Sequence, residues 1–538
     1  MRPDLLLLNG RIRTLDPRRP LASALAVAGG RVVAVGGADL RDLAGRSVQV
    51  FDLEGRTVLP GFTDAHIHLG WFAMGLREVD LRDCRSLEEV LDRVAERVRT
   101  TPPGEWVLGR GWDQEVWSDP RFPTAADLDR VAPHHPVALT AKSGHALVAN
   151  TEAMRRAGVG AEPPDPEGGR IERDSSGRPT GLFLEGAMEM IRQAVPEPDA
   201  EAVADALPEA LERAWRVGLT SVHQMGNLTA FDALQRLRAR GALGLRVVQY
   251  LPADALDHAL ALRLRAGLGD DWLRVGGIKV FVDGALGPRT AAMLEPYEGE
   301  PDNVGILTLD REALEDLARR AVDGGLPLAV HAIGDRANRM VLDVLAGVGG
   351  PGLRHRIEHV QLLHPDDVGR LASLGVVASM QPIHAVQDAP MADRYWGDRC
   401  ATAYAWRSLL DAGTVVAFGS DCPVEDLNPF LGIHAAVTRA RPDGYGGPGG
   451  WHPEQRTTIE EAVRAYTWGT AYAAGMEDRL GRLASGYLAD LIVLDRDIFA
   501  CDPDAIPQTR VVGTMVGGRW VFGEYGSPPT AQEPPDGR

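Results

Sequence analysis

The net charge of −18 on a chain of 538 residues argues against a nucleic-acid partner, which would call for a basic patch. Its 44% hydrophobic and 25% charged residues are those of a soluble globular protein with a large core. No apolar run approaches the roughly 20 residues of a membrane span.

Residues 1–57 read as short strands broken by turns. In "MRPDLLLLNGRIRTLD" the apolar run is too short for a signal-peptide core of about 7–15 residues. It reads instead as a strand, an Asn-Gly turn and a second strand. Residues 481–525 repeat this style in "GYLADLIVLDRD" and "VVGTMVGGRWVFG". The two ends are therefore expected to join in one small β-sandwich, since the termini of a domain often lie close together. The Pro-rich tail 526–538 is expected to be disordered. Cys84, Cys400, Cys422 and Cys501 lie far apart without a CxxC, which fits a reducing cytoplasm and no disulfides.

Between the ends, residues 58–480 alternate strand-like and helical runs. Strand candidates fall at 61–68, 218–225, 245–251, 277–283, 326–333, 356–360, 375–382 and 414–421. Eight β/α units in series predict an α/β fold of the (β/α)8 TIM-barrel type. The gap from 68 to 218 is too long for one connection. It predicts an insertion after strand one, at about 85–200, that closes over the barrel mouth as a lid and selects the amine portion of a substrate.

The first chemistry-bearing residues are His66 and His68 in "GFTDAHIH". Residues i and i+2 of a strand share a face, so both rings can reach one metal, or simply sit on a polar face. His331 ends "LPLAVH", His359 ends "RIEH" and Asp421 ends "VVAFGSD". Taken singly, each is a core histidine or a helix cap. Together they aim imidazole and carboxylate, the ligands of a catalytic zinc-class site, at the C-terminal end of a barrel, where active sites lie.

Lys279 belongs with them. Of 57 basic residues only Lys142 and Lys279 are lysine, and Lys279 sits inside the apolar run "GGIKVFVDGAL". Burial and a nearby cation favour a neutral amine. A neutral amine captures carbon dioxide as an anionic carbamate able to bridge two cations, which an always-protonated arginine cannot do. The alternative is a lysine on the outer rim of strand four.

"GFTDAHIH", the strand-four lysine, "HAIGD", "IEHVQ" and "GSDCPVE" together resemble the amidohydrolase superfamily, in particular amidohydrolase family 3 of the N-substituted formamide deformylase type. The resemblance spans nearly the whole chain. It implies two divalent metal ions, zinc as a rule, although some members hold a single ion. By match, His66, His68 and Asp421 hold one ion, His331 and His359 the other, and carboxylated Lys279 bridges them. Gln224 stands where Asp is commoner, outside the ligand set.

The expected reaction is hydrolysis of a C–N bond in an N-acyl or N-formyl amide by metal-bound hydroxide, with Asp421 as general base and then acid. Ester, lactone or phosphotriester hydrolysis would suit the same site. Deamination fits less well, because "HAIGDRAN" has no Glu near His331. A non-catalytic binding protein fits least, the ligands being complete.

Four residues are candidates for the substrate side: His145 of the insertion, Arg289 after strand four, His384 after strand seven, and Trp112 as a pocket wall with Trp106 and Trp117 nearby. Each has a structural alternative, for the tryptophans the insertion's own core. Cys422 reads as packing. The partner is then a small-molecule substrate, with no nucleic acid or membrane; a homodimer is left open.

Overall fold

The computed structural model describes residues 2–142, 146–166, 169–350 and 352–525. The chain divides into two compact units, residues 1–72 with 207–538, and residues 73–206. The second is wider than the 85–200 insertion read from the sequence.

The first unit is built on an eight-stranded parallel sheet whose strands follow one another in chain order. They are Phe62–Ile67, Leu219–Met225, Arg246–Pro252, Leu273–Phe281, Leu328–Ala332, Arg356–His359, Val377–Met380 and Val416–Phe418. All eight expected strands are present. They read as near-continuous apolar runs because a parallel barrel strand is buried on both faces. Strand one meets strand eight through a parallel bridge between Ile67 and Cys422. The His68 amide donates to Cys422 O at 2.9 Å and the Asp421 amide to His66 O at 2.7 Å. The seam that closes the barrel thus runs between candidate ligands, with buried Cys422 contributing backbone.

Helices return the chain between strands and start on local caps. Arg311–Asp323 opens with Asp310 accepting from the Ala313 amide at 2.8 Å.

Both chain ends form the sandwich. One sheet holds Leu5–Leu8, Ala24–Ala28, Arg31–Gly36 and Gln49–Asp52. The other joins Arg11–Arg13, Leu21–Ala22 and Thr57–Pro60 to Leu491–Leu494, Val511–Val516 and Arg519–Gly523. Leu7 and Val27 of the first sheet meet Ile12, Val58, Val493 and Met515 of the second in one core. Asn9 does turn the chain, with φ +57°, but its flanking strands enter different sheets. Leu5–Leu7 pair instead with Leu25–Val27. A buried ion pair, Arg246 Nη2 to Asp490 Oδ1 at 2.8 Å, ties the third barrel strand to the C-terminal part of the sandwich.

The second unit carries a six-stranded mixed sheet, ordered Gly169–Arg173, Pro179–Glu185, Ala146–Ala149, Val137–Ala141, Val107–Trp112 and Val79–Asp80. Its helix Leu87–Thr100 starts on Ser86, which accepts from the Glu89 amide. The helix buries Leu87, Val90, Leu91 and Val94 in a core shared with Trp112 and Trp117. Among the described residues no helix is long and apolar enough to cross a membrane.

Candidate active site

The strand ends of the first unit bring their polar residues together. His66 lies in strand one and is buried; His68 follows it, partly exposed. Asp421 leaves strand eight in the left-handed region at φ +60°, and His359 ends strand six at φ +74°. Such backbone is sparsely populated by non-glycine residues and costs on the order of 1–3 kcal/mol. Here it turns both side chains toward one point. Asp421 Oδ1 lies 3.2 Å from His68 Nε2 and 3.5 Å from His66 Nε2, and its Oδ2 lies 3.9 Å from His384 Nε2. The His359 ring sits 4.9 Å from His66, 4.6 Å from His331 and 6.1 Å from a near-parallel His384.

Among the described residues, two groups have ligand atoms that all lie within 4.8 Å of one another inside the group: His66, His68 and Asp421, and His359, His384 and Asp421. His384, read from the sequence as a substrate-side residue, thus stands among the ligand-type side chains, in the first turn of the helix Pro382–Trp396. His331 Nε2 instead donates to Gly284 O at 2.9 Å, with Asp283 Oδ1 3.5 Å away. Burial lowers its pKa to about 4 and keeps the ring neutral.

Lys279 points into this cluster from strand four. It is 2% exposed, and its Nζ has no hydrogen-bond partner among the described residues. The nearest aromatic face, Phe281, lies 4.6 Å away. Burial lowers the amine to about pKa 8, against the opposing pull of Glu358 and Asp421. An unpaired buried polar atom costs roughly 1–3 kcal/mol. An orphaned amine amid neutral imidazoles and a carboxylate therefore fits a missing anionic or cationic group. The donor set, nitrogen and oxygen only, suits divalent zinc-class ions.

Several supporting residues had no place in the sequence reading. Asp64 accepts from the Ser420 amide at 3.0 Å, Ser420 Oγ at 2.5 Å and the His66 amide at 3.0 Å. It stitches strand one to the turn that carries Asp421, and burial raises it to about pKa 7. Asp283 accepts from the amides of Ala292, Ile333 and Gly334, and burial raises it also to about 7. It fixes the loop after His331. Gln381 Oε1 lies 2.9 Å from His359 Nδ1. Glu358 Oε2 lies 2.6 Å from His66 Nδ1. The available signal was a carboxylate inside an apolar strand, as in "FTDAH", "VFVDG" and "RIEH". Gln224 holds the turn after strand one, accepting from the Leu69 amide at 2.6 Å.

The other substrate-side candidates fare differently. Trp112 is a correction: it is 0% exposed, its indole N–H donates to Leu139 O at 2.9 Å, and it packs against Trp117 in the second unit's own core. A ring covered on every side walls no pocket. Trp117 likewise donates to Cys84 O, and Trp106 packs on a neighbouring cluster. Arg289 is engaged on a loop, 2.6 Å from Glu300 and 3.2 Å from Tyr395 Oη, so its charge is already paired. His145 lies outside the described residues.

The sequence profile of the Amidohydrolase family matches residues 49–522. The chain belongs to the amidohydrolase family. This amidohydrolase is 32% identical to the N-substituted formamide deformylase of Arthrobacter pascens over 547 residues, covering 97% of this chain and 99% of that one. It is 35% identical over 541 residues to the protein LONG AFTER FAR-RED 3 of Arabidopsis thaliana, covering 96% and 91%. Its fold matches the crystal structure of an uncharacterized metal-dependent hydrolase from Pyrococcus furiosus with a TM-score of 0.78 and 33% identity, over 92% of this chain and 99% of that one. The amidohydrolase is thus a metal-dependent hydrolase on a TIM barrel, and the ligand-type cluster lies at the barrel end where such enzymes keep their active sites.

Proposed function

We propose that this amidohydrolase cleaves the C–N bond of an N-acyl or N-formyl amide, using two divalent ions, zinc by the chemistry of the donors. His66, His68 and Asp421 would hold one ion, His331 and His359 the other, and Lys279, as its carbamate, both. The observation that carries this reading is the Lys279 amine, buried and, among the described residues, without a hydrogen-bond partner, in the field of His66, His331, His359 and Asp421. When bound, such ions lower the pKa of a water and polarise a carbonyl.

The remaining work falls to the chain. Asp421 Oδ2, on the side away from His66 and His68, is the atom that takes the proton of the attacking water and returns it to the departing nitrogen. His384 Nδ1 lies 3.4 Å from the Gln361 amide nitrogen, which leaves its Nε2–H free to hold the substrate carbonyl or the leaving group. Asp64 and Asp283, satisfied by backbone amides, keep the two ligand-bearing loops in register. The similarity to an N-substituted formamide deformylase supports the amide class.

The test is metal content with turnover across N-formyl amides, N-acyl amides, esters, lactones and phosphotriesters. Release of amine from a formyl or acyl amide, lost with the metal and restored with it, is the expected result. Turnover confined to esters or phosphotriesters would overturn the amide assignment.

A further inference from the structure

Beneath the ligand cluster lies a buried charged network that the proposed reaction does not use. Arg356 and Glu358 stand two residues apart on strand six and are both 0% exposed. The guanidinium grips both carboxylate oxygens, Nε on Oε1 and Nη2 on Oε2 at 2.9 Å. It is itself held from four other strands: Nη1 donates to His223 Nδ1 at 2.7 Å and to Tyr250 Oη at 3.4 Å, and Nη2 reaches Ala65 O at 2.6 Å and Ser379 Oγ at 2.5 Å. Burying an ion pair seldom stabilises a fold more than apolar packing would. The free edge of this pair points at one atom, His66 Nδ1, 2.6 Å from Glu358 Oε2.

We propose that Glu358 is a positioning residue that holds His66 in its Nδ1–H tautomer, and that Arg356 fixes the orientation of Glu358 so that only acceptor atoms face the ring. The inference rests on the reading that His66 holds a metal. A carboxylate accepts and does not donate, and Glu358 Oε2 at 2.6 Å is within hydrogen-bond distance of Nδ1 whereas Asp421 Oδ1 is 3.5 Å from Nε2, so the closer carboxylate draws the proton of a neutral ring to Nδ1. The lone pair then lies on Nε2, the nitrogen that faces Asp421 Oδ1 beside His68 Nε2. Hydrogen bonds of this kind to the far nitrogen set the ring orientation and basicity of a histidine ligand.

The chemistry of the pair makes a specific demand. In Glu358→Gln the side chain keeps its volume but has one acceptor oxygen. Arg356, all donors, claims that oxygen. The amide NH2 then faces Nδ1 and drives the ring proton to Nε2, where it blocks coordination. In the double variant Arg356→Met with Glu358→Gln no guanidinium claims the oxygen; the Ser379 hydroxyl, which hydrogen-bonds Glu358, can rotate to accept from the amide NH2, and the amide turns its oxygen back to His66.

The experiment reads the His66 tautomer by histidine 15N NMR on the metal-free full-length protein, with the His66 signals identified by their loss in His66→Gln. Zn²⁺ affinity is read in parallel by chelator competition. The wild type is expected to show Nδ1–H. Glu358→Gln is expected to show Nε2–H and to bind Zn²⁺ about 10–100-fold more weakly. The double variant is expected to regain the Nδ1–H tautomer and most of the affinity. A purely structural salt bridge predicts the reverse order, with the double variant worse than the single. An Nε2–H ring in the wild type, which needs no variant to fold, overturns the proposal, as does a Glu358→Gln protein with unchanged tautomer and affinity. Unchanged Zn²⁺ binding in His66→Ala would instead sink the reading of His66 as a ligand.

Discussion

The two units each end strands on residues that invite a functional reading, and they resolve in opposite ways. In the barrel, His359 and Lys279 are buried polar groups, one with an imidazole grouped with four others and one with an amine that has no hydrogen-bond partner among the described residues. In the second unit, Trp112 ends its strand just as visibly, yet it is ordinary core with its single N–H satisfied. Burying an indole stabilises a fold and needs no further reason. Burying an amine without a partner opposes folding and needs a compensating group. Polarity at a buried strand end is therefore informative, and aromatic bulk there is not.

The strongest challenge to this contrast is Asp421→Asn. Removing the proposed general base is expected to lower kcat by about 10²–10⁴ with little change in KM. A variant with full metal occupancy and near-normal kcat would reduce Asp421 to a ligand-shaped cap.

Trp112→Ala tests the other side. Loss of a fully buried tryptophan is expected to destabilise by about 3–5 kcal/mol, seen as a lower Tm, with KM for aromatic and small aliphatic amides changed alike. A selective rise in KM for aromatic amides at unchanged Tm would mean that the ring lines a pocket after all.

Lys279 sharpens the comparison through pH. With its amine at about pKa 8, the neutral fraction able to take up carbon dioxide grows as pH rises through 8. Reconstitution of the metal-free protein with Zn²⁺ should be faster at pH 8.5 than at 6.5 and should respond to added bicarbonate. Lys279→Ala should lose metal and activity together and ignore bicarbonate. A fully metallated, active enzyme with an unmodified amine would remove the carbamate.

The smallest effect comes from a buried imidazole outside the cluster. His355 Nδ1 accepts from the Leu328 amide at 3.2 Å, and burial lowers its pKa to about 4. The folded value lies below the ordinary 6.5, so the unfolded chain binds more protons between pH 6.5 and 4. Its contribution is present above 6.5 and lost as pH falls through that window, at most about 3 kcal/mol. Tm should fall less between pH 7.5 and 5 in His355→Gln than in the wild type. Equal falls would show that other groups set the acid limit.

The barrel was legible because each parallel strand is an apolar run of its own, and the sandwich because its short strands and turns recur at both ends. Histidine, aspartate and lysine stood out by interrupting or ending those runs. His384 was visible as a residue near the mouth, but its stacking on His359 depends on how the helix after strand seven begins. Arg289 looked free only because Glu300 and Tyr395 meet it in space.

The sequence by itself determined the eight strands, the joining of the two ends and the residue types gathered at the strand tips, because periodicity and isolated polarity are local properties of a chain. Tertiary structure alone decided which polar atoms are partnered. Glu358 meets His66 across 292 residues, and Asp64 meets Ser420 across 356. The closing seam of the barrel sets Asp421 beside His66 and His68, and the same kind of folding turns Trp112 into core. Burial and hydrogen bonding depend on what arrives from elsewhere in the chain, so the distinction between a ligand, its support and plain packing exists only once the barrel has closed.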